Sequence, residues 1–408
     1  PPRSTLFPYT TLFRSGHGNA LAQAYNHMIM PLASTRDKIT QAVWGIEDFR
    51  KRFGRDPEGM WLPEAAVDGE TLDILVQHGI KFTLLAPRQA HSFRESADSP
   101  WTFVNSSIDP SRPYRCELNG GRSITIFFYD GPISQAVAFQ NLLGSGEDFK
   151  HRLMAAFSDR RSWPQLVHIA TDGESYGHHH RFGEMALAYA LEKLIADPTV
   201  KLTNYGEFLQ AHPATAEVCL HERSSWSCVH GIGRWSEDCG CSSGFKPEWN
   251  QQWRAPLRRA LDLLRDRADA LFIEKGKAFF SDPWEVRNKY IGVILNDHED
   301  TSAFLDIHTI GKLSTQERVW AVTLLEIQRN RMLMYTSCGW FFDDISGIES
   351  LQILGYAARV LHLAFPWEPD LLKDFLAELS SATSNMKPQL CGDEIFRSRV
   401  LPHVAGLA

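Results

Sequence analysis

Four things are scarce or missing in this chain, and each excludes something. No run of about 20 apolar residues occurs, so no membrane-spanning helix is expected. No secretory signal opens the sequence. Basic charge is not in excess: 42 Lys and Arg stand against 49 Asp and Glu, for a net charge of −7, so the electrostatic footprint of a nucleic-acid binder is missing. Cysteine does not form the dense, even-numbered framework of a small secreted domain. The seven present suggest a reducing, cytoplasmic compartment. There are also no internal repeats and no low-complexity tracts.

What remains is a chain of 408 residues with ordinary apolar and charged fractions, long enough for two or three domains with buried cores. Residues 1–15 show neither helical nor strand period, and they contain the near-repeat Ser4-Thr-Leu-Phe and Thr10-Thr-Leu-Phe. They resemble translated adapter sequence and are set aside as a non-native segment. Leu401-Pro-His-Val-Ala-Gly-Leu-Ala408 gives no natural stop, so the chain reads as a fragment shortened at both ends.

From residue 16 to about 220, helix and strand signals alternate. Ser34 or Thr35 caps a helix carrying Ile39, Val43, Ile46 and Phe49, which Gly54 ends. Gly59-Met-Trp-Leu forms a short strand, and a helix follows from Asp68 to Gly79. Further strands are expected at 81–86, 123–129, 166–170 and 200–203. Helices are expected at 133–143, 147–158 and 182–196, with a short one after Asn204. Residues 91–121 read as loop. This alternation predicts parallel strands with helices outside, an α/β architecture. Past 220 strand signals nearly vanish, and helices are expected near 250–280, 314–336 and 347–363. The division is therefore a catalytic β/α barrel over 16–220 and a helical domain over 221–408, entered through a Trp- and Cys-rich linker.

Two short apolar strands each end in a carboxylate, Glu64 after Pro63 and Asp172 after Thr171. In parallel α/β barrels, strand C-termini converge on the mouth where chemistry is done. Two acids there suit glycoside hydrolysis: one attacks the anomeric carbon or activates water, and the other protonates the leaving oxygen. The same pattern also occurs with purely structural acids. His17 and His27 lie among small and apolar residues before Pro31, as in a loop lining a pocket. Twelve Trp is a high number, and exposed rings are platforms for sugar faces. Trp226 and Trp235, in Ser- and Gly-rich sequence, are the candidates, whereas Trp249 and Trp253 read as core. No metal or other cofactor is expected. His178, His179 and His180 are consecutive, so their side chains diverge. Cys239-Gly-Cys241 is tighter than usual structural zinc spacing, so Cys228, His230, Cys239 and Cys241 read as ordinary loop residues. The segment 335–344 breaks the helical pattern and leaves a pocket role and a simple turn both open.

Together the motifs resemble glycoside hydrolase family 57. The run His17-Gly-Asn-Ala-Leu-Ala-Gln-Ala-Tyr-Asn-His27 is similar to the family's second conserved region. Gly59-Met-Trp-Leu-Pro-Glu64 resembles the third, and Thr171-Asp-Gly-Glu-Ser-Tyr-Gly177 the fourth. The region from about 224 onward resembles the uncharacterised helical region that follows the catalytic domain in one bacterial subgroup. The resemblance implies an incomplete barrel of seven β/α units with a helical region after it, α-glucan substrates and retention of configuration. It implies Glu64 as nucleophile and Asp172 as acid/base, with carboxyls about 5–5.5 Å apart. It further suggests His17, His27, Trp61, Glu174, Tyr176, His178, Trp226 and Trp235 for substrate contact. The family's first region, a His-Gln-Pro motif on the first barrel strand, has no counterpart here, so that strand is expected to be missing and the fragment to be weak or inactive. Amylase and 4-α-glucanotransferase activities both fit. A metal-dependent deacetylase- or mannosidase-like barrel and a non-catalytic glucan-binding protein are the competing readings.

Overall fold

Local sequence signals set most of the helix boundaries in the computed structural model, which describes residues 16–105, 108–244, 246–296 and 301–404. The segment 1–15, expected to be non-native, lies outside the described residues, as do residues 405–408 of the final run from Leu401. Helix α1, Thr35–Phe53, begins where the Ser34 side chain accepts from the Asp37 N–H and ends at Gly54 in the left-handed region. Strand β1, Met60–Trp61, and helix α2, Gly69–Gln77, follow. Next come β2, Phe82–Leu85; β3, Ala90–Arg94; β4, Thr102–Phe103; β5, Pro113–Glu117; and β6, Ser123–Phe128. Asp130 caps α3, Gly131–Phe139, by accepting from the Ile133 N–H, and Ser145 caps α4, Gly146–Met154. Helix α5 spans Gly183–Ala196, and Asn204 caps α6, Tyr205–Ala211. Strand β7 is Ala216–Leu220. The rest is mainly helical and includes α7, Arg254–Gly276; α8, Thr315–Leu333; α9, Ile348–Ala364; and α10, Leu371–Leu379.

The chain divides into two units. The first comprises residues up to Leu21, Pro57–Trp61 and Leu75–His221. Its sheet has the order β2-β6-β5-β7-β3-β4. The β2–β6 and β5–β7 pairs are parallel; β5–β6, β3–β7 and β3–β4 are antiparallel. The sheet is thus mixed where all-parallel pairing was expected, because residues 91–121 are not loop but supply β3, β4 and β5. Charged residues obscured those strands. Glu217 on β7 is buried between Arg94 on β3 and Arg115 on β5, so ion pairs take places that apolar alternation would have marked. Residues 166–170 and 200–203 do not form the strands expected of them. The former is held by scattered bonds instead of a ladder: Leu166 N–H donates to Ser111 O, Asp130 N–H to His168 O, and Ala170 N–H to the Ser134 hydroxyl. One apolar cluster gathers Phe82, Leu84, Phe127 and Phe208, with Trp61 and Tyr205 packed on it; another joins α3, α4 and α5 through Ile133, Val137, Phe149, Ala186 and Ala190.

The second unit comprises Ala22–Asp56, Leu62–Ile74 and Glu222–Ala408. Residues 22–56 and 62–74, assigned to the barrel from sequence, fold with the helical region. The physical tie is α1. Asp37 is buried between Arg287 and Arg331, accepting bonds of 2.6–3.0 Å. The two guanidiniums overcome the burial cost and hold the carboxyl well below the usual carboxylate range. The Trp44 indole donates to Asn288 O at 2.9 Å. The core of this unit runs through α7, α8, α9 and α10 and contains Trp235, Trp253 and Trp340.

Candidate active site

Glu64 is the most constrained residue of the predicted site. Chain geometry explains part of this: Pro63, separated from β1 by Leu62 alone, fixes its own φ, so the turn is made at the next two residues. Glu64 and Ala65 both have left-handed backbones, with φ of 58° and 47°. Neither is glycine, so the conformation carries strain that its surroundings must hold. They do so through 224–227. The Trp226 N–H donates to Glu64 O at 2.9 Å, and Val67 and Ser224 bridge as an antiparallel pair. The half-buried carboxylate is held from the same segment: the Trp226 indole N–H donates to Oε2 at 2.8 Å and the Ser227 hydroxyl to the same oxygen at 2.6 Å. Hydrogen bonds to a charged acceptor are the stronger kind. Partial burial and then the Glu64 charge push the Cys338 thiol up, so Cys338 lies within electrostatic reach of that carboxylate.

His27, also on a left-handed backbone, bonds through Nδ1 to the Ser337 hydroxyl at 2.7 Å. Ser337 N–H returns a bond to His27 O, and Thr336 bridges Met28. The segment 335–344, left open in the sequence, therefore begins by docking on 26–28. Trp235 is a correction. Expected as an exposed sugar platform, it is fully buried, and its indole donates to Ser337 O at 3.2 Å. The Ser- and Gly-rich sequence around it turns inward instead of outward, so no ring face remains for a ligand. Ser227 was missed altogether; an isolated serine in a Ser-rich loop carries no signal in one sequence.

In the first unit, Asp172 is exposed at the start of a short turn of 3-10 helix, Gly173–Ser175. Glu174 and His178 are exposed as well, and the Glu174 carbonyl accepts from the His178 and His179 N–H groups. Tyr176 is half-buried; the Thr171 hydroxyl donates to its phenol oxygen at 3.3 Å, and burial raises its pKa. Trp61 is half-buried at the end of β1. His17 differs from the others. Its Nδ1 pairs with Glu58 at 2.8 Å and its Nε2 with Gln210 at 3.0 Å, and the Glu58 bond raises its pKa. It ties three chain segments together. His168, unmarked in the sequence, bonds Tyr205 and Pro110 O, and desolvation pushes it down to about 4.

Cys228, His230, Cys239 and Cys241 were expected to be separate loop residues. Their side-chain ligand atoms all lie within 4.8 Å of one another.

The glycosyl hydrolase family 57 model matches residues 3–221, and the chain belongs to that family. Residues 249–408 match a domain of unknown function, DUF3536. An alpha-amylase of Pyrococcus abyssi is 22% identical over 239 residues, covering 53% of this chain and 32% of that protein, so the chain spans about a third of that curated relative's length. Among solved structures, an exo-type maltose-forming amylase of Pyrococcus sp. ST04 superposes with a TM-score of 0.67 at 17% identity, over 93% of this chain and 65% of that one. A 4-alpha-glucanotransferase of Thermococcus litoralis gives 0.52 at 14% identity, over 86% and 49%. The likeness shows the fold, the incomplete α/β barrel with a helical region after it.

Proposed function

We propose that the chain carries retaining chemistry on α-glucans, as an amylase or a 4-α-glucanotransferase, with Glu64 as nucleophile and Asp172 as acid/base. One observation carries the reading: Glu64 follows a barrel strand on a left-handed backbone, its carboxylate gripped by Trp226 and Ser227. Holding an anion in one orientation suits a group that must attack a defined carbon. Glu64 attacks the anomeric carbon while Asp172 protonates the departing glycosidic oxygen, leaving a glycosyl ester on Glu64. Asp172, now ionised, takes a proton from water or from a sugar hydroxyl. That oxygen attacks the same carbon and releases Glu64. Water gives hydrolysis and a sugar hydroxyl gives transfer.

Trp226 is assigned to orienting Glu64, and His17 to bracing the site's base. His27, Trp61, Glu174, Tyr176 and His178 are assigned to substrate contact. None of these roles involves nucleic acid. Among the described residues no helix is long and apolar enough to cross a membrane. We place the protein in the cytoplasm, a reading supported by its seven free cysteines. The test is product analysis on maltoheptaose with Glu64→Gln and Asp172→Asn beside the parent. Shorter products alone indicate hydrolysis; longer products as well indicate transfer. Full activity in both variants refutes the assignment.

A further inference from the structure

The loop that grips Glu64 continues directly into the sulfur cluster. Cys228 Sγ lies 3.8 Å from Cys239 Sγ and 3.7 Å from Cys241 Sγ, and Cys241 Sγ lies 3.6 Å from His230 Nδ1. A tetrahedral zinc ion, with bonds of about 2.3 Å to sulfur and 2.0–2.1 Å to nitrogen, sets ligand edges of about 3.8 Å for S···S and 3.6 Å for S···N. Three of the six separations match those edges, and all four atoms lie within 4.8 Å of one another. They do not suit a disulfide, which needs about 2.05 Å. Cys228 also has two sulfur neighbours at nearly equal range, which a single S–S bond would not explain. Gly240, with φ of 77°, turns the chain between Cys239 and Cys241 so that both thiols reach one point. That turn is what makes the tight Cys-Gly-Cys spacing workable.

Charge supplies a second, independent observation. Arg254 and Arg234 are buried, and neither forms a carboxylate ion pair among the described residues. They are held by carbonyls: Arg254 Nη1 donates to Cys241 O at 2.7 Å, and Arg234 donates to Phe341 O at 2.8 Å and Ser227 O at 3.3 Å. The Nε–H of each has no hydrogen-bond partner. Buried cations call for a compensating anion. Three thiolates and a neutral imidazole on one divalent ion carry a net negative charge, and Arg254 lies within electrostatic reach of Cys239 and Cys241 as well as of the Asp343 carboxylate.

We propose that Cys228, His230, Cys239 and Cys241 bind one zinc ion in a structural site that pins the loop carrying Trp226 and Ser227. The zinc site stands on its own geometry; only its link to catalysis rests on reading Glu64 as the nucleophile. The four ligands close the tetrahedron, so the ion has no open position for substrate. Soft thiolates with one imidazole in tetrahedral array suit zinc.

The test is elemental analysis of the reduced protein, purified with neither chelator nor added metal, together with alkylation mapping. The proposal expects one zinc per chain and a tetrahedral thiolate spectrum after exchange for cobalt(II). Stripping with a chelator should release the zinc and expose Cys228, Cys239 and Cys241 together to alkylation, while Cys219 and Cys338 react in both states. Cys239→Ser combined with Cys241→Ser should lose the zinc. Because that variant can fail to fold, the parent's metal content and alkylation pattern are decisive. Zinc well below one per chain, iron in its place, or full alkylation of the three cysteines before stripping overturns the proposal. None of these readouts involves turnover, so their failure is distinct from failure of the glucan assignment.

Discussion

Glu64 shows how a single residue is prepared by its neighbours. A left-handed glutamate costs of order 1–3 kcal/mol, and it persists because bonds to both its main chain and its carboxylate over-determine it. Each donor bond to the carboxylate contributes about 1.5–3 kcal/mol where it acts in the transition state. Ser227→Ala and Trp226→Phe should therefore each lower kcat by about 10–10²-fold on a maltooligosaccharide, with KM nearly unchanged. A rise in KM at constant kcat would make Trp226 a sugar platform instead of an orienting donor. His168 gives a pH prediction. The unfolded chain takes a proton below about 6.5, while the native ring resists it until about 4. Native stability from this residue is therefore complete above pH 6.5 and is lost as pH falls toward 4, by up to about 3 kcal/mol. Melting curves from pH 7 to 4.5 should fall less steeply for His168→Gln than for the parent.

At the level of elements, the main helices and strands β1, β2 and β6 were legible, and the rest of the sheet was not. Ser34 and Asn204 each announce a helix and each cap one, because a side-chain oxygen three residues ahead of an N–H is a purely local arrangement. Strands β3, β5 and β7 were hidden because Arg94, Arg115 and Glu217 satisfy one another only after the sheet has formed. The site divides the same way. The acid motifs stood out as short signatures. The Trp226–Ser227 grip, the burial of Trp235 and the sulfur cluster depend on where a loop turns, which spacing does not reveal. The buried network around α1 allows a stability prediction. Asp37→Ala leaves Arg287 and Arg331 without their shared carboxylate, and breaking such a buried pair costs about 3–5 kcal/mol. Urea unfolding should show a loss of that size; a change under about 1 kcal/mol would mean the network is relieved by water.

Across the whole molecule, the matched family region and the folding units have different borders. The family match runs to residue 221, yet Ala22–Asp56 and Leu62–Ile74, Glu64 included, belong to the unit built mainly from Glu222–Ala408. The domain of unknown function is thus part of the body that carries the proposed nucleophile. A chain ended at residue 221 leaves Asp37, Trp44 and the Glu64 carboxylate without their partners. It should show no cooperative thermal transition and no glucan turnover; an active, cooperatively folded 1–221 chain would contradict this. Chelator sensitivity alone does not favour a metal-dependent reaction, because loss of a structural ion beside Ser227 would also lower turnover.

The central claim is that Glu64 becomes covalently bonded to sugar. A fluorinated α-maltosyl fluoride, which forms the glycosyl ester quickly and releases it slowly, traps that state. Mass spectrometry of the digested protein should show one added glycosyl group, on the peptide containing Glu64, and none in Glu64→Gln. Label on another carboxylate, or turnover of α-glucan with no label at all, would contradict the account.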